Sequence, residues 1–468
     1  MSQANPFQEI RQLSATALSR KFRAKDLSPL EVTQVLIDEL DRLNKSLNMV
    51  YLPTPERALQ EAKASEQRWM DGTPNGPLDG IATTIKDGLL SINEPSYRGS
   101  IANDADEYSW NQDAPVNARL REAGMVSLGK TTMPDFGILA SGYSSIHGIT
   151  RNPWALDKNP GGSSSGAAAS VACGLSPMVV GTDIVGSIRL PASFCGLFGL
   201  KPSQGRVPYY PPNAPTLVAG PMTRTVTDAA LMMNALCAPD PRDFTALAFD
   251  DCNYLEDLER APRQLTLGLL TDIGFGPEVN TDVKHAVEQA AKAFADLGYN
   301  IELIDTPFKQ GDDRCAELFY KQRCFSEFGQ YSERLKKQSP YIYDWTLDAV
   351  NTPAPELYKA MNEMRAMREK VMAIFNQVDY LLLPSVAIPA FDAELPAPDI
   401  NQLFAPWSNT YLFNTTEQPA SSINCGYTKD GLPIGLQIVG PRFDDMGVLQ
   451  LSRLYEKIRP QQQPFPAI

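Results

Sequence analysis

Three short stretches of this chain carry residues able to do chemistry together. They are Ile85-Lys86-Asp87-Gly88, Gly161-Gly162-Ser163-Ser164-Ser165-Gly166, and Gly181-Thr182-Asp183-Ile184-Val185-Gly186-Ser187-Ile188-Arg189. They offer one lysine, a serine-rich loop, and a second serine closing a glycine-flanked turn. A serine hydroxyl becomes a useful nucleophile beside a base that takes its proton. Histidine is a scarce choice for that base, because 468 residues contain only His147 and His285. Lysine can serve if burial lowers its pKa. Bringing an amine from about 10.4 to near 7–8 takes roughly 4 kcal/mol of differential interaction.

Each stretch has competing readings. The loop at 161–166 is not a phosphate cradle, which needs a lysine where Ala167 stands. Gly162-Ser163-Ser164-Ser165-Gly166 also fits a nucleophile elbow centred on Ser164. That site requires a later acid and then a histidine, and the one later histidine, His285, falls on an amphipathic helix as a solvated residue. Lys86 follows the apolar run Ile81–Ile85 and reads as the end of a buried strand. There it must be neutral or paired, with Asp87 the nearest carboxylate. Ser127-Leu128-Gly129-Lys130 matches S-x-x-K but crosses a strand end and reads as structural. A turn after a buried strand can aim several N–H groups at one point, as an oxyanion hole requires. Asp183 and Arg189 are spaced to pair across that turn as support.

The elements that position these residues follow from periodicity. Ser28-Pro29-Leu30-Glu31 is a capping box, and Val32, Val35, Leu36, Leu40 and Leu43 mark the apolar face behind it. A further helical stretch runs to about Met70. From Gly80 onward, short apolar runs bounded by glycine read as buried strands. Residues 118–123 read as helix and 125–128 as strand. Residues 166–174 form a small-residue helix leading to a strand at 178–180. A βαβ unit spans Leu265 to Ile304, its helix stopped by Gly298. Residues 312–378 read as helical, and 380–383, 421–425 and 434–439 as strands. The proline-rich stretches 202–221 and 384–406 read as surface loops. This alternation predicts an α/β fold, a large mixed and mostly internal β-sheet flanked by α-helices on both faces. No repeat or linker divides the chain, which reads as one domain over 1–468.

Composition narrows the function. The balance of 42 Lys+Arg against 55 Asp+Glu gives a net charge of -13, which argues against nucleic acid and anionic membranes as partners. The seven cysteines include no C-x-x-C pair, and with two histidines no metal site is expected. They read as reduced thiols of a cytoplasmic protein. Met1 to Arg23 hold no signal-peptide core, and no run approaches a membrane span.

Together the three stretches resemble the amidase signature family. Gly129-Lys130-Thr131, Thr150-Arg151-Asn152-Pro153-Trp154, Gly199-Leu200-Lys201-Pro202, Gly220-Pro221-Met222-Thr223-Arg224 and Gly431-Leu432-Pro433-Ile434-Gly435-Leu436-Gln437 extend the likeness from about residue 10 to 458. The resemblance implies an N-terminal helical part at about 8–70, a signature core at about 80–225 and a helical elaboration at about 312–378. It implies a Ser–cis-Ser–Lys triad without metal or cofactor. Ser187 is then the nucleophile and Lys86 the base. Ser163, 24 positions before Ser187, is the bridging serine after a cis peptide at Gly162. The N–H groups of Ile184, Val185, Gly186 and Ser187 form the oxyanion hole. Ser164, Gly162, Asp183 and Arg189 support the loops.

One departure stands out. The family commonly has two glycines before the nucleophile, and this chain has Val185-Gly186. If that position needs positive φ, a β-branched residue strains the hole.

The resemblance implies hydrolysis of carboxylic amide C–N bonds, with anilides, esters and carbamates as further substrates. Leu412-Phe413-Asn414-Thr415-Thr416-Glu417-Gln418-Pro419 is similar to the free-standing hydrolases. The alternatives are the A subunit of a glutamine-dependent tRNA amidotransferase and, because of Val185, an impaired scaffold protein. Gly137, Ile138, Leu139, Ala140 and Ser141 stand where the family lines its acyl pocket, and carry no cation. With Trp407, Tyr411 and Phe413 from a late loop, they lean the expectation toward small neutral or aryl amides. The resemblance also allows a homodimer.

Overall fold

The computed structural model describes residues 5–468 apart from 104–109, 213, 250, 261, 263 and 467. Its first long helix, Pro29–Leu47, starts as the sequence predicts. Ser28 Oγ accepts from Glu31 N at 3.1 Å, and the Glu31 carboxylate accepts from Ser28 N at 2.9 Å. Two N–H groups that the helix cannot use itself are thereby satisfied.

The strands are β1 (Val50–Pro53), β2 (Ala82–Lys86), β3 (Val126–Thr131), β4 (Tyr143–Ser144), β5 (Gly148–Ile149), β6 (Met178–Asp183), β7 (Phe198–Lys201), β8 (Val218–Thr223), β9 (Thr266–Leu269), β10 (Asn300–Leu303), β11 (Tyr380–Pro384), β12 (Ala420–Tyr427) and β13 (Pro433–Val439). Apart from the β4–β5 hairpin they form one sheet, ordered β1-β3-β2-β6-β8-β7-β12-β13-β11-β9-β10. It is mixed: β2 runs parallel to β3 and β6, and β9 parallel to β10 and β11. The stretch β6-β8-β7-β12-β13-β11 is antiparallel throughout. Strands β2, β6, β7, β8, β11 and β13 are buried along their whole length, which requires cover on both faces. The edge strand β10 is largely exposed.

The βαβ unit is present as β9, the helix Thr281–Asp296 and parallel β10, and Gly298 leaves the helix at φ +92°. Residues 312–378 supply the helices Arg314–Phe328, Ser332–Gln338, Pro340–Val350 and Ala354–Ile374. One expectation is corrected. The end of the proline-rich stretch 202–221 is no surface loop, since 218–221 lie in the buried strand β8. Pro221 sits opposite Val180 of β6, one residue beyond the last pair that β8 makes with β7. A residue without an N–H is tolerated where a ladder ends. Among the described residues no helix is long and apolar enough to cross a membrane.

The helix Ser165–Ala172 is buried at every position. Its small side chains let it approach β3, and Gly166 N donates to Thr132 O at 3.1 Å. A Cβ on Gly166 would lie 2.2 Å from Met49 O and 2.8 Å from Thr132 N. Backbone atoms from two segments cannot both retreat, so Gly166→Val is expected to cost about 3 kcal/mol or more. Denaturant unfolding measures this, and an unchanged midpoint would show that the helix is not pinned there.

Candidate active site

β2 and β6 are neighbours and parallel, with Ile85 paired to Val180. Lys86 at the end of β2 and Thr182 near the end of β6 therefore emerge side by side. The loop 161–165 closes over both. Lys86 Nζ lies 2.9 Å from Ser163 Oγ, 2.9 Å from Ser164 Oγ and 2.8 Å from Thr182 Oγ1. The amine is fully buried. Burial pushes its pKa down to about 7; the carboxylates of Asp183 and Asp87 oppose this, and the Arg98 guanidinium adds to it. A neutral amine has two N–H donors and one lone pair. Among three hydroxyls it can donate to two and accept from the third.

The peptide bond Gly162–Ser163 is cis. Gly162 is closely enclosed: a Cβ there would lie 2.3 Å from Leu139 O and 2.8 Å from Ser141 N. Ser165 Oγ donates to Ser141 O at 3.2 Å. Leu139 and Ser141 thus brace the back of the serine loop. The side chains of Ile138, Leu139, Ala140 and Ser141 are buried.

Ser187 lies on the turn after β6. Its Oγ is buried and has no hydrogen-bond partner. The structure brings Lys86, Ser163 and Ser164 into direct contact, and leaves the link from Ser163 to Ser187 unmade. Among the described residues, none accepts a hydrogen bond from the N–H groups of Ile184, Val185, Gly186 or Ser187. The carbonyls of the turn are tied back instead: Thr216 Oγ1 donates to Ile184 O at 3.2 Å and Thr410 Oγ1 to Val185 O at 2.5 Å. The unused donors can then serve an incoming oxygen.

Asp183 and Arg189 pair as their spacing predicts, Nη2 to Oδ1 and Nε to Oδ2 each at 3.0 Å, with both side chains buried. Asp183 also accepts from Ile188 N at 3.2 Å and from Asn414 Nδ2 at 2.9 Å. Arg189 also donates to Thr410 O at 2.8 Å and to Gln437 Oε1 at 2.7 Å. Burial alone would raise the Asp183 carboxyl, but the charge and hydrogen bonds of Arg189 outweigh it and the net displacement is downward. A buried ion pair holds its place when its other hydrogen-bonding atoms are satisfied as well.

A small cavity of about 40 Å³ opens at Ser163, Thr182, Ile184 and Gly137. Of the five residues expected at an acyl pocket, Gly137 alone is among its lining, and a Cβ there would stand 3.2 Å from Ser163 Oγ. Phe136, Tyr209 and Leu217 give the wall an apolar part, and Arg98 and Arg323 give it two guanidinium groups. Trp407, Tyr411 and Phe413 are buried outside that lining. The expectation of neutral or aryl substrates is drawn from residues 137–141, which carry no cation, whereas the wall of this cavity includes Arg98 and Arg323. Sequence reasoning also missed Thr182 as a partner of the lysine. The strand period was available as a signal, because it puts Thr182 on the face of Val180.

The Amidase family model matches residues 31–449. The chain belongs to the amidase family. The A subunit of the glutamyl-tRNA(Gln) amidotransferase of Alkalilimnicola ehrlichii is 32% identical over 482 residues, covering 96% of this chain and 98% of that relative. An acylamidase of Rhodococcus erythropolis is 29% identical over 477 residues, covering 98% of each. The crystal structure of a bacterial aryl acylamidase of the amidase signature family superposes with a TM-score of 0.87 at 28% identity, covering 96% of each chain. The mixed sheet with flanking helices is the fold of that family.

The departure at Val185 has a structural answer. Positive φ falls on Gly186, at +142°, and Val185 is not among the residues with positive φ. A Cβ on Gly186 would lie 2.2 Å from Thr410 Oγ1 and 2.9 Å from Trp407 Cδ1. Gly186→Ala is therefore expected to lower kcat/KM by about 100-fold or more, the loss seen when one oxyanion donor is displaced. Val185→Gly should change it less than about tenfold. Steady-state kinetics on both variants check this, and a hundredfold gain in Val185→Gly would mean that valine impairs the native turn.

Proposed function

We propose that this chain is a free-standing hydrolase of carboxylic amides that works through a serine acyl-enzyme. The observation that carries the reading is the buried Lys86 amine held 2.9 Å from Ser163 Oγ, together with an unpartnered Ser187 hydroxyl and four unused N–H groups on the turn after β6. Neutral Lys86 takes the proton of Ser163, and Ser163 takes that of Ser187. Ser187 Oγ attacks the amide carbonyl, whose oxygen becomes an oxyanion against the N–H groups of Ile184 to Ser187. The proton returns through Ser163 to the leaving nitrogen, and the C–N bond breaks. Water then opens the Ser187 ester by the same relay and releases the carboxylic acid. Ser164 and Thr182 hold the amine in place, and Asp183 with Arg189 holds the turn. Anilides, esters and carbamates present the same carbonyl and are further substrates on this reading.

The likeness to an aryl acylamidase supports a chain that acts alone. So does the segment 412–419. The second reading, one chain of a tRNA amidotransferase complex, is favoured by the 32% identity to such subunits. It makes activity depend on partner chains.

A serine-directed fluorophosphonate applied to the purified chain separates them. One adduct by intact mass, absent from Ser187→Ala, is expected. No adduct on the parent chain would contradict a lone hydrolase. The base gives a second test. Burial lowers the Lys86 pKa, so the amine is protonated below about 7 and neutral above it. The profile of kcat/KM should rise with pH through one ionisation near 7 and then level off. An optimum near pH 5 would exclude lysine as the base.

A further inference from the structure

The four free N–H groups of the turn after β6 are aimed by what their own peptide carbonyls bind. In a trans peptide the C=O and the N–H point opposite ways, and the bonds from Asp183 to Ser187 are trans. Asp183 O accepts from Asn414 Nδ2 at 3.1 Å, which aims Ile184 N–H. Gly186 O accepts at 2.8 Å from Leu190 N, near the start of the helix Arg189–Phe194, which aims Ser187 N–H. The two donors between them are aimed by hydroxyls. Thr216 Oγ1 donates to Ile184 O at 3.2 Å and sets Val185 N–H. Thr410 Oγ1 donates to Val185 O at 2.5 Å and sets Gly186 N–H. Among the described residues, neither carbonyl accepts from any other group.

The peptide between Val185 and Gly186 needs its hydroxyl most. Gly186 adopts φ +142° and has no side chain to oppose rotation of the peptide before it. Thr410 is fully buried, and a Cβ on Gly186 would lie 2.2 Å from its Oγ1. That oxygen is also 3.0 Å from Trp407 O, but a hydroxyl has one proton to give. Trp407 O already accepts from Thr410 N at 2.9 Å and from Tyr411 N at 3.1 Å, so the proton goes to Val185 O. Arg189 holds the threonine in turn. It donates to Thr410 O at 2.8 Å while it pairs with Asp183. The buried ion pair thus fixes both the turn that carries the N–H groups and the residue that aims them.

We infer that Thr410, assisted by Thr216, is a positioning residue of the oxyanion hole: its hydroxyl keeps the Val185–Gly186 peptide from turning and points Gly186 N–H at the oxygen that gains charge when Ser187 attacks. This rests on the reading of the chain as a serine hydrolase and adds to it what preorganises the hole. Donors aimed beforehand need no reorganisation as the charge develops. The competing role for Thr410 is only to fasten its segment to the turn.

The test is the rate at which an alkyl fluorophosphonate labels Ser187. As the Oγ–P bond forms and fluoride leaves, the hydroxyl proton passes to Ser163 and the phosphoryl oxygen gains charge in the hole. Thr410→Val keeps the shape of the side chain and removes the hydroxyl. It is expected to label about 10- to 100-fold more slowly than the parent chain, part of the loss for a donor removed outright. Thr410→Ser should restore most of the rate. The pH midpoint of labelling should stay near 7 in Thr410→Val, because Lys86 keeps its three hydroxyls. A purely structural threonine would lower the melting temperature and the labelled fraction but leave the rate constant of the folded chain unchanged. That result overturns the inference and leaves the hydrolase reading intact. So does a displaced midpoint, which would put the effect at the base, or Thr410→Ser labelling as slowly as Thr410→Val. If Thr410→Val does not fold, Thr216→Val at its partly exposed position decides: labelling about tenfold slower supports the inference, and the parental rate overturns it. A parent chain that forms no Ser187 adduct removes the hydrolase reading and the inference together.

Discussion

The structure depends on keeping one amine out of water without giving it a counter-ion. Lys86 Nζ is enclosed by three hydroxyls, and its pKa falls from 10.5 to about 7. At 1.36 kcal/mol per unit, that displacement disfavours the charged form by roughly 5 kcal/mol. Two parallel strand ends and one serine loop must meet to build the enclosure. Gly161, Gly162 and Gly166 are needed because Pro191, the backbone of 139–141, and Met49 with Thr132, respectively, approach too closely for any side chain.

The nearest carboxylates are prevented from undoing this arrangement. Asp183 is engaged by Arg189, Asn414 and Ile188 N. Asp87, adjacent to the lysine in sequence, accepts from Tyr51, Tyr97 and Gly99. Both acids already raise the lysine pKa against the effect of burial, and would raise it further if they turned toward it. Each instead fixes a loop that lines the site: Asp183 the turn before Ser187, and Asp87 the loop bearing Arg98. The fold thus turns two carboxylates that favour a charged Lys86 into supports for the rest of the site.

Much of this was legible in the chain, and the limits are physical. The lysine, the serine loop and the turn show themselves as local motifs. The capping box at Ser28 and the pairing of Asp183 with Arg189 are contacts between residues a few positions apart. Strand β8 was hidden because Pro221 reads as a loop residue, and only its place beside the end of β7 makes it tolerable. Arg98 and Arg323, which both donate to the Glu327 carboxylate, were invisible as a group with it. Arg98 and Glu327 are separated by 229 positions, and no periodicity relates them. Of residues 137–141, whose small apolar side chains suit a pocket wall, Gly137 lines the cavity while Leu139 and Ser141 brace the serine loop through their backbone. Val185 raised a concern that one backbone angle at Gly186 answers.

The central claim is that Lys86 loses its proton near pH 7 and is neutral above it, and direct titration tests it. Lysine carrying a carbon-13 label at Cε reports its protonation by chemical shift. Lys130 and Lys201 are also buried, Lys130 lowered and Lys201 lowered to about 7, so Lys86→Met, Lys130→Met and Lys201→Met variants are needed to assign the three signals. The expected result is a resonance that vanishes in Lys86→Met and titrates near pH 7. A Lys86 resonance titrating close to 10.5 would show a charged amine at neutral pH, and the lysine could not be the base.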